Sequence, residues 1–355
     1  MKMFLPLLLA AATALAPAAH ARQDDAVTPA EQAVDAAVRQ GADFLLASQL
    51  PDGSIAVSDR HRTAMTALAT LALVAVGHQP ADDSPQGAAI RDAIDYLLDP
   101  ERIEASGYYG DRDGSRMYGH GIVTLLLGEL AGMGVDAEQD RLIRERLQAA
   151  IELILRSQRV EQKMRIDRGG WRYMPNSSDS DLSVTVWQAM ALRSARAAGV
   201  EVPAEAIDEA VGYLRRSFRA EGDDESVGRF GYRPQAPLSQ FTFSTTSAGL
   251  LALQVCGAYD DPAVEASADW LLGQPLRLGG RWSYYGTYYY AQGMYQRGGQ
   301  HATLARERVE AALLAAQLDN GSWRGLSSEG DPIYATSMAL LSLSVRYHYL
   351  PIYQR

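Results

Sequence analysis

The stretch Asp319-Asn320-Gly321-Ser322-Trp323 joins an amphipathic helical segment to a second helical segment that is built from smaller residues. Five further Gly-rich turns, most of them aromatic, separate segments of the same two kinds, at residues 49–54, 107–111, 169–173, 228–232 and 279–284. Their spacing of roughly 40 to 60 residues is typical of a repeat architecture. Because one helical hairpin cannot bury its apolar stripe alone, we expect the six hairpins to stack or to close on each other.

The two segments of each hairpin differ in polarity. The first carries charge on one face, as at Arg91, Asp92 and Asp95, whereas the second is mostly small and apolar, as over residues 248–253. A helix with one polar face belongs at the surface, and a helix that is apolar all round belongs inside. No strand-type alternation of useful length occurs. We therefore predict an all-α protein, an (α/α)6 toroid of six outer and six inner helices around a central cavity.

The chain of 355 residues divides into four parts. Residues 1–21 have the charged start, the apolar run and the small-x-small end of a secretory signal peptide, so we expect export to the periplasm or beyond. Residues 22–32 are polar and are predicted to be a disordered lead, and residues 33–345 a single toroid of six repeats. Residues 346–355 form an aromatic tail that we expect to dock on the toroid. The alternative is a tail that binds a partner protein.

The amino-acid composition indicates which classes of partner the protein is suited to bind. The net charge of −10 and the pI near 5.1 favour solubility and argue against nucleic-acid binding, which usually needs a basic face. After the signal peptide no run of 18 apolar residues occurs, so we predict no transmembrane segment in the mature chain. Cys256 is the single cysteine, which excludes an intrachain disulfide.

Two turns carry a family resemblance. Gln317 precedes Gly321-Ser322-Trp323, and Gln274 precedes Gly280-Arg281-Trp282. On these turns the sequence resembles the squalene-cyclase and protein-prenyltransferase superfamily over roughly residues 33–345, and the resemblance implies an α/α toroid. The stretches at 169–173, 179–185, 284–289 and 349–355 are similar, more narrowly, to secreted bacterial proteins that carry these repeats. No activity follows from that narrower likeness.

The chemistries of the superfamily need particular residues. Class II cyclases use an Asp-x-Asp-Asp acid, and the nearest run here is Asp179-Ser180-Asp181-Leu182. Asp179 and Asp181 are candidate catalytic residues that share a proton, because like charges at close range raise one pKa. The alternative is that Asp181 caps the third inner helix. No Asp-x-Cys pairing surrounds Cys256 as in the zinc prenyltransferases, so we predict no metal and no cofactor.

The start of the fifth inner helix is rich in tyrosine. Helical spacing places Tyr285, Tyr288 and Tyr289 on one face, with Gln292 one turn beyond Tyr288. With Trp282 beside it, this face offers π surfaces and hydroxyl donors to a sugar ring or a flat apolar ligand; the alternative is packing between inner helices. Candidate ligand-binding residues at the starts of other inner helices are Tyr118, His120, Asp331 and Tyr334. For His120 the alternative is a bond to a loop carbonyl.

Three hypotheses for function follow. The leading one is an exported toroid that binds an apolar, isoprenoid-like ligand or a glycan in an aromatic-lined central cavity. The second is an enzyme, either a cyclase-like acid catalyst or a polysaccharide-active enzyme, that uses Asp179 and Asp181. The third is a scaffold of the cell envelope, whose outer face or tail docks another protein.

Overall fold

The computed structural model describes residues 28–161, 163–221, 227–347 and 349–353, so the predicted signal peptide lies outside the described residues. Over these residues the chain forms twelve α-helices: Pro29–Ala47 (α1), Arg62–Ala75 (α2), Pro85–Leu98 (α3), Arg116–Leu130 (α4), Ala137–Gln158 (α5), Leu182–Ala197 (α6), Ala204–Ser217 (α7), Phe243–Val255 (α8), Pro262–Leu272 (α9), Ser283–Arg297 (α10), Gly299–Ala316 (α11) and Pro332–Leu343 (α12).

The even-numbered helices form a closed inner ring. Each packs against the next, and α12 packs against α2. Gly121 and Gly128 of α4 lie against Gln188 and Ser194 of α6, so these neighbours are parallel. All inner helices therefore begin at one end of the ring, the upper opening, and end at the other, the lower opening. The odd-numbered helices lie outside, and the predicted all-α toroid is confirmed.

Three glutamines tie their turns to the following repeat. Each side-chain amide donates to the carbonyl of a glycine in its own turn and to a carbonyl of the next outer helix, and the sixth turn reaches α1 in this way. The glutamines, with their two acceptors, are Gln49 with Gly53 and Ala89 (3.0 and 2.8 Å), Gln158 with Gly169 and Ala206 (3.1 and 2.8 Å) and Gln317 with Gly321 and Ala37 (2.9 and 2.9 Å).

These ties demand glycine where the turn meets the next helix. Gly321 has φ +83°, and a Cβ there would lie 2.4 Å from the carbonyl oxygen of Gln40 in α1. Gly169 has the same φ, and a Cβ would lie 2.0 Å from the carbonyl oxygen of Glu209 in α7. Only glycine combines a left-handed backbone with so close an approach.

A second bond recurs in five of the six turns. The backbone N–H of the aromatic or apolar turn residue donates to a side chain in the first turns of the inner helix. The pairs are Ile55 with Thr66, Tyr109 with His120, Trp171 with Thr185, Phe230 with Thr246 and Trp323 with Thr336. In Trp171 and Trp323 the indole N–H also donates, to Ile154 and Leu313 carbonyls at 2.8 Å. The turns of Trp171 and Trp323 are thus fixed to both helices of their hairpins.

The fifth turn departs from this pattern. Gln274 donates to the Trp270 carbonyl of its own helix at 3.4 Å, and Trp282 is 40% exposed. Among the described atoms none lies within 4 Å of a Cβ added to Gly279 or Gly280. The close likeness of the Gln274-to-Trp282 stretch to the family turn was therefore misleading. The stretch from Gln158 to Trp171 forms the full tie instead.

Two local expectations need correction. Helix α1 begins at Pro29, inside the predicted lead over 22–32, because Thr28 and Glu31 form a reciprocal capping box. A short antiparallel hairpin, Phe218–Ala220 with Gly228–Phe230, precedes the fourth inner helix, although no strand was expected.

None of the helices in the described part of the chain has the length and hydrophobicity that a membrane span requires.

Gln317→Ala tests the tie that closes the ring. The change removes the donor to the Gly321 carbonyl and the bond to the Ala37 carbonyl of α1, so we expect the free energy of unfolding to fall by about 2 kcal/mol. Gln274→Ala is the matched control, and it should cost under about 1 kcal/mol because it removes one long bond within a helix. Urea unfolding followed by circular dichroism measures both. Equal losses would contradict the role assigned to Gln317.

Candidate functional site

Asp181 begins the third inner helix at the upper opening. It is fully buried, and its Oδ1 accepts the Val184 N–H at 2.9 Å. Its Oδ2 accepts from Nη1 of Arg172 at 2.6 Å. Burial raises the pKa of Asp181 above its usual value, and the Val184 N–H and the Arg172 guanidinium oppose that rise. The carboxyl is therefore a helix cap in an ion pair.

Asp179 lies on the other side of the same guanidinium. Its Oδ2 is 3.2 Å from Nε of Arg172 and 3.3 Å from Nη2 of Arg233, and its side chain is half-buried. A shared proton needs two carboxyls that repel each other without a cation between them. Arg172 supplies that cation, so the predicted proton-sharing pair of Asp179 and Asp181 is not formed.

Two tyrosines that the sequence did not single out extend this network. The Tyr232 hydroxyl lies 2.9 Å from Nη1 of Arg172 and 2.6 Å from the Tyr173 hydroxyl. The Arg172 guanidinium also lies 4.3 Å from the centre of the Tyr173 ring. Both tyrosines stand two residues after the aromatic residue of their turns, Trp171 and Phe230. That shared offset is the signal that a comparison of the turns would have shown.

Tyr285 and Tyr289 continue the aromatic surface across the ring. Their ring centroids lie 4.6 Å apart with the rings edge to face. Burial raises the pKa of both phenols, and Tyr285 keeps 8% of its surface exposed. Within the described part of the chain neither hydroxyl has a partner in normal hydrogen-bond geometry, although the Ser183 and Tyr289 hydroxyls lie close enough to lower the pKa of Tyr285. Both phenols therefore keep hydrogen-bonding capacity for a polar atom of a ligand or water.

Tyr118 and Tyr334 complete a recess at the upper opening. The surrounding protein raises the pKa of both phenols well above the usual value, yet both side chains are only half-buried. The ring centroid of Tyr118 lies 5.9 Å from that of Tyr173, and the Tyr118 and Tyr334 side chains stay partly exposed at this end of the ring. We call the surface formed by Tyr118, Tyr173, Tyr232, Tyr285 and Tyr334 the upper recess.

A buried carboxylate holds the tyrosine helix in place. Oε1 of Glu329 accepts the Tyr285 N–H at 2.8 Å, and Oε2 accepts the Tyr284 N–H and the Ser283 hydroxyl at 3.2 Å. Negative charge is favourable at a helix N-terminus. Glu329 thereby fixes the start of α10, and with it the direction of the Tyr285 side chain. Sequence reasoning missed this role, because Glu329 comes from the following repeat and lies 44 residues from Tyr285.

His120 does not belong to the upper recess. It is fully buried, its Nε2 lies 3.2 Å from the Ala150 carbonyl oxygen, and its Nδ1 lies 3.4 Å from the Tyr109 nitrogen. Burial lowers its pKa to about 4. It takes the place that threonine has in the other turns, so the bond to a carbonyl accounts for it.

Tyr288 and Gln292 lie deeper and fill the ring. Tyr288 stacks on Trp187 with ring centroids 6.0 Å apart, and its hydroxyl contacts that of Tyr353. Gln292 donates to the Leu341 carbonyl at 2.8 Å. The central cavity that we predicted is therefore closed below the upper recess, because Trp187 crosses the ring.

The remaining predicted residues stand at the rim. Asp331 caps α12, with Oδ1 accepting the Ile333 N–H at 2.8 Å. Trp282 projects into solvent, with the Arg281 guanidinium 5.5 Å from its ring centre.

Over the described residues no group of three or more His, Cys, Asp or Glu side chains is placed to hold a metal ion. Burial raises the pKa of the Cys256 thiol to about 12, which keeps it unreactive.

Comparison with known proteins supports the assignment of the fold. No protein-family model matches the chain, and no curated protein matches it. The chain is similar to the type II terpene cyclase MstE from Scytonema, solved with merosterolic acid A. The TM-score is 0.58 at 17% identity, over 91% of this chain and 99% of that chain.

Two glycan-active enzymes are similar to a comparable degree. One is an inactive variant of an α-1,6-mannanase from a Salegentibacter species, solved with α-1,6-mannotriose: TM-score 0.58, 11% identity, 89% of this chain and 98% of that chain. The other is the glucoamylase of Saccharomycopsis fibuligera. Its TM-score is 0.53 at 12% identity, over 91% of this chain and 96% of that chain. At such identities the likeness shows the α/α toroid and leaves the function open.

Asp181→Asn separates the structural from the catalytic interpretation. Asparagine keeps the cap but leaves the Arg172 charge without its buried partner, so we expect a loss of about 3 kcal/mol in unfolding free energy. Asp179→Asn, at a half-exposed pair, should cost under about 1 kcal/mol. Urea unfolding at pH 7 measures both. A more stable Asp181→Asn protein would instead mark a carboxyl kept for chemistry at the expense of stability.

Proposed function

We propose that the protein is an exported binding protein that takes a glycan at the upper recess. The observation that carries the proposal is the pair of buried phenols, Tyr285 and Tyr289, whose hydroxyls have no partner in normal hydrogen-bond geometry among the described residues. A sugar supplies hydroxyl groups that both donate and accept hydrogen bonds, together with apolar faces that cover aromatic rings. Export rests on the signal-peptide pattern of residues 1–21.

The depth of the recess favours a glycan over an isoprenoid. A long apolar chain needs a deep apolar chamber, since its binding energy comes from buried area. Trp187, Tyr288 and Tyr353 occupy that part of the ring. The upper recess is instead formed by partly exposed tyrosine side chains.

The carboxyls at the opening favour binding over hydrolysis. A glycosidase needs two carboxyls that face the same bond, one of them free to give a proton. Here Asp181 is paired with Arg172, Asp179 with Arg172 and Arg233, and Glu329 with the start of α10. Each of these three carboxyls is thus already bound by groups of the protein itself.

Acid catalysis by Asp181 is the second candidate. Its burial raises its pKa, and it lies beside the tyrosine-lined recess. Such a role requires Arg172 to leave the carboxylate when substrate binds. A crystal structure with bound ligand in which Arg172 keeps its 2.6 Å contact would remove this candidate.

Tyr285→Phe tests the glycan site. The change removes an unpartnered buried hydroxyl, so the free protein should be as stable as the parent or slightly more stable. The lost ligand bond should weaken binding by about tenfold, or about 1.4 kcal/mol. Titration calorimetry against a panel of neutral oligosaccharides gives the dissociation constants, and thermal unfolding gives the stability.

Tyr109→Phe is the matched control, because the Tyr109 hydroxyl is also buried and unpartnered within the described residues but lies in the second turn. This variant should bind like the parent. If no oligosaccharide binds and an isoprenoid panel does, the glycan assignment is wrong. If both panels leave the protein unchanged, the scaffold hypothesis takes its place.

A further inference from the structure

The end of the chain fills the lower opening of the ring. Nε2 of Gln296 donates to the Tyr353 carbonyl at 2.9 Å, and the Ile352 N–H donates to Oε2 of Glu129 at 3.3 Å. The Tyr353 hydroxyl contacts that of Tyr288. Main-chain and side-chain groups of the tail are thus both recognised by inner helices, as in a bound peptide.

The ring is shaped to receive this segment. Gly77, at the end of α2, lies under the Tyr349 ring, and a Cβ there would lie 2.6 Å from Cε2 of that ring. Leu350, Ile352 and Tyr353 are buried, although Tyr349 itself is half exposed. We call residues 349–353 the tail segment and its surroundings the lower site.

One carboxyl of the lower site lacks a counter-charge. Glu129, on α4, is 3% exposed, and its Oε1 accepts from the Ser194 hydroxyl at 2.5 Å. Among the described residues no Arg, Lys or His side chain forms an ion pair with it. The groups that face it are Ser194 from α6, Tyr288 from α10, and Ile352 and Tyr353 of the tail segment.

We propose that the lower site is a peptide-binding site which the tail segment occupies in its own ring, and that a proton on Glu129 holds it there. With the tail segment docked, the carboxyl is cut off from water, and an ionised carboxylate without a cation is costly in such a place. Release of the tail segment admits water to the carboxylate. Ionisation therefore favours the released form.

The direction of the pH dependence follows from burial. Burial raises the pKa of docked Glu129 from an ordinary 4.5 to about 7. Docking is therefore strongest below pH 4.5, weakens as the pH rises towards 7, and reaches its weakest level above 7. Between pH 5 and pH 8 the docking constant should fall by on the order of 100-fold, at about tenfold per pH unit in the steep part.

Amide hydrogen exchange of the full chain measures this directly. Mass spectrometry of the fragment that contains the tail segment gives its protection, corrected for the intrinsic pH dependence of exchange. We expect protection at pH 5 and its loss by pH 8, while the helices stay protected. Equal protection of the tail segment at the two pH values overturns the proposal. Protection that depends on protein concentration means that tails exchange between copies, and overturns docking in the same ring.

Glu129→Gln tests the proton itself. Glutamine keeps the shape and an acceptor for Ile352 but cannot ionise, so the tail segment should stay protected from pH 5 to pH 8. His348→Asn removes the histidine next to the tail segment and should leave the pH dependence unchanged. The proposal fails if Glu129→Gln retains the dependence or if His348→Asn abolishes it.

Ser194→Ala gives a second test if Glu129→Gln does not fold. The Ser194 hydroxyl stabilises the ionised carboxylate and so lowers its pKa. Its removal should move the loss of tail protection to higher pH. A loss at an unchanged or lower pH would count against Glu129 as the titrating group.

Discussion

The ring depends on one repeated bond, in which a glutamine amide joins its own turn to the outer helix of the next repeat. The amide has two N–H groups, and one binds a glycine carbonyl of the turn while the other binds a carbonyl of the next outer helix. Gln317 makes this bond to Ala37, and so joins the last repeat to the first. Three of the six turns are held in this way, and they position the inner helices that follow them.

The upper recess arises from the way in which neighbouring repeats cap each other. The first N–H groups of an inner helix need acceptors. The Tyr173 carbonyl accepts from Met117, the Tyr232 carbonyl accepts from Leu182, and Glu329 accepts from Tyr285. The loop of each following repeat is therefore drawn over the preceding helix. This brings the Tyr173 and Tyr232 side chains to the opening.

Periodicity along the chain was enough to predict the hairpins, the inner and outer helices and the ring, because these follow from local patterns that repeat six times. The functional site was harder to predict from the sequence than the fold. Asp179 and Asp181 are close in sequence, but Arg172 lies nine residues from Asp181 and decides what the acids do. Trp187 closes the cavity, but it lies on α6, a helix whose sequence did not stand out from the other inner helices. His120, by contrast, was within reach, since its separation from Tyr109 equals that of Thr66 from Ile55.

The bond from Gln317 to Ala37 also removes the ends of the array. An open array of helical hairpins has two terminal repeats, which fray first and need a polar outer face. In this ring every repeat has a neighbour on both sides, so no hairpin can fray without breaking two interfaces at once. Opening any single seam creates two terminal repeats where there were none. Heat should therefore melt the six hairpins as one cooperative unit, where a linear array of the same hairpins would melt gradually from its termini.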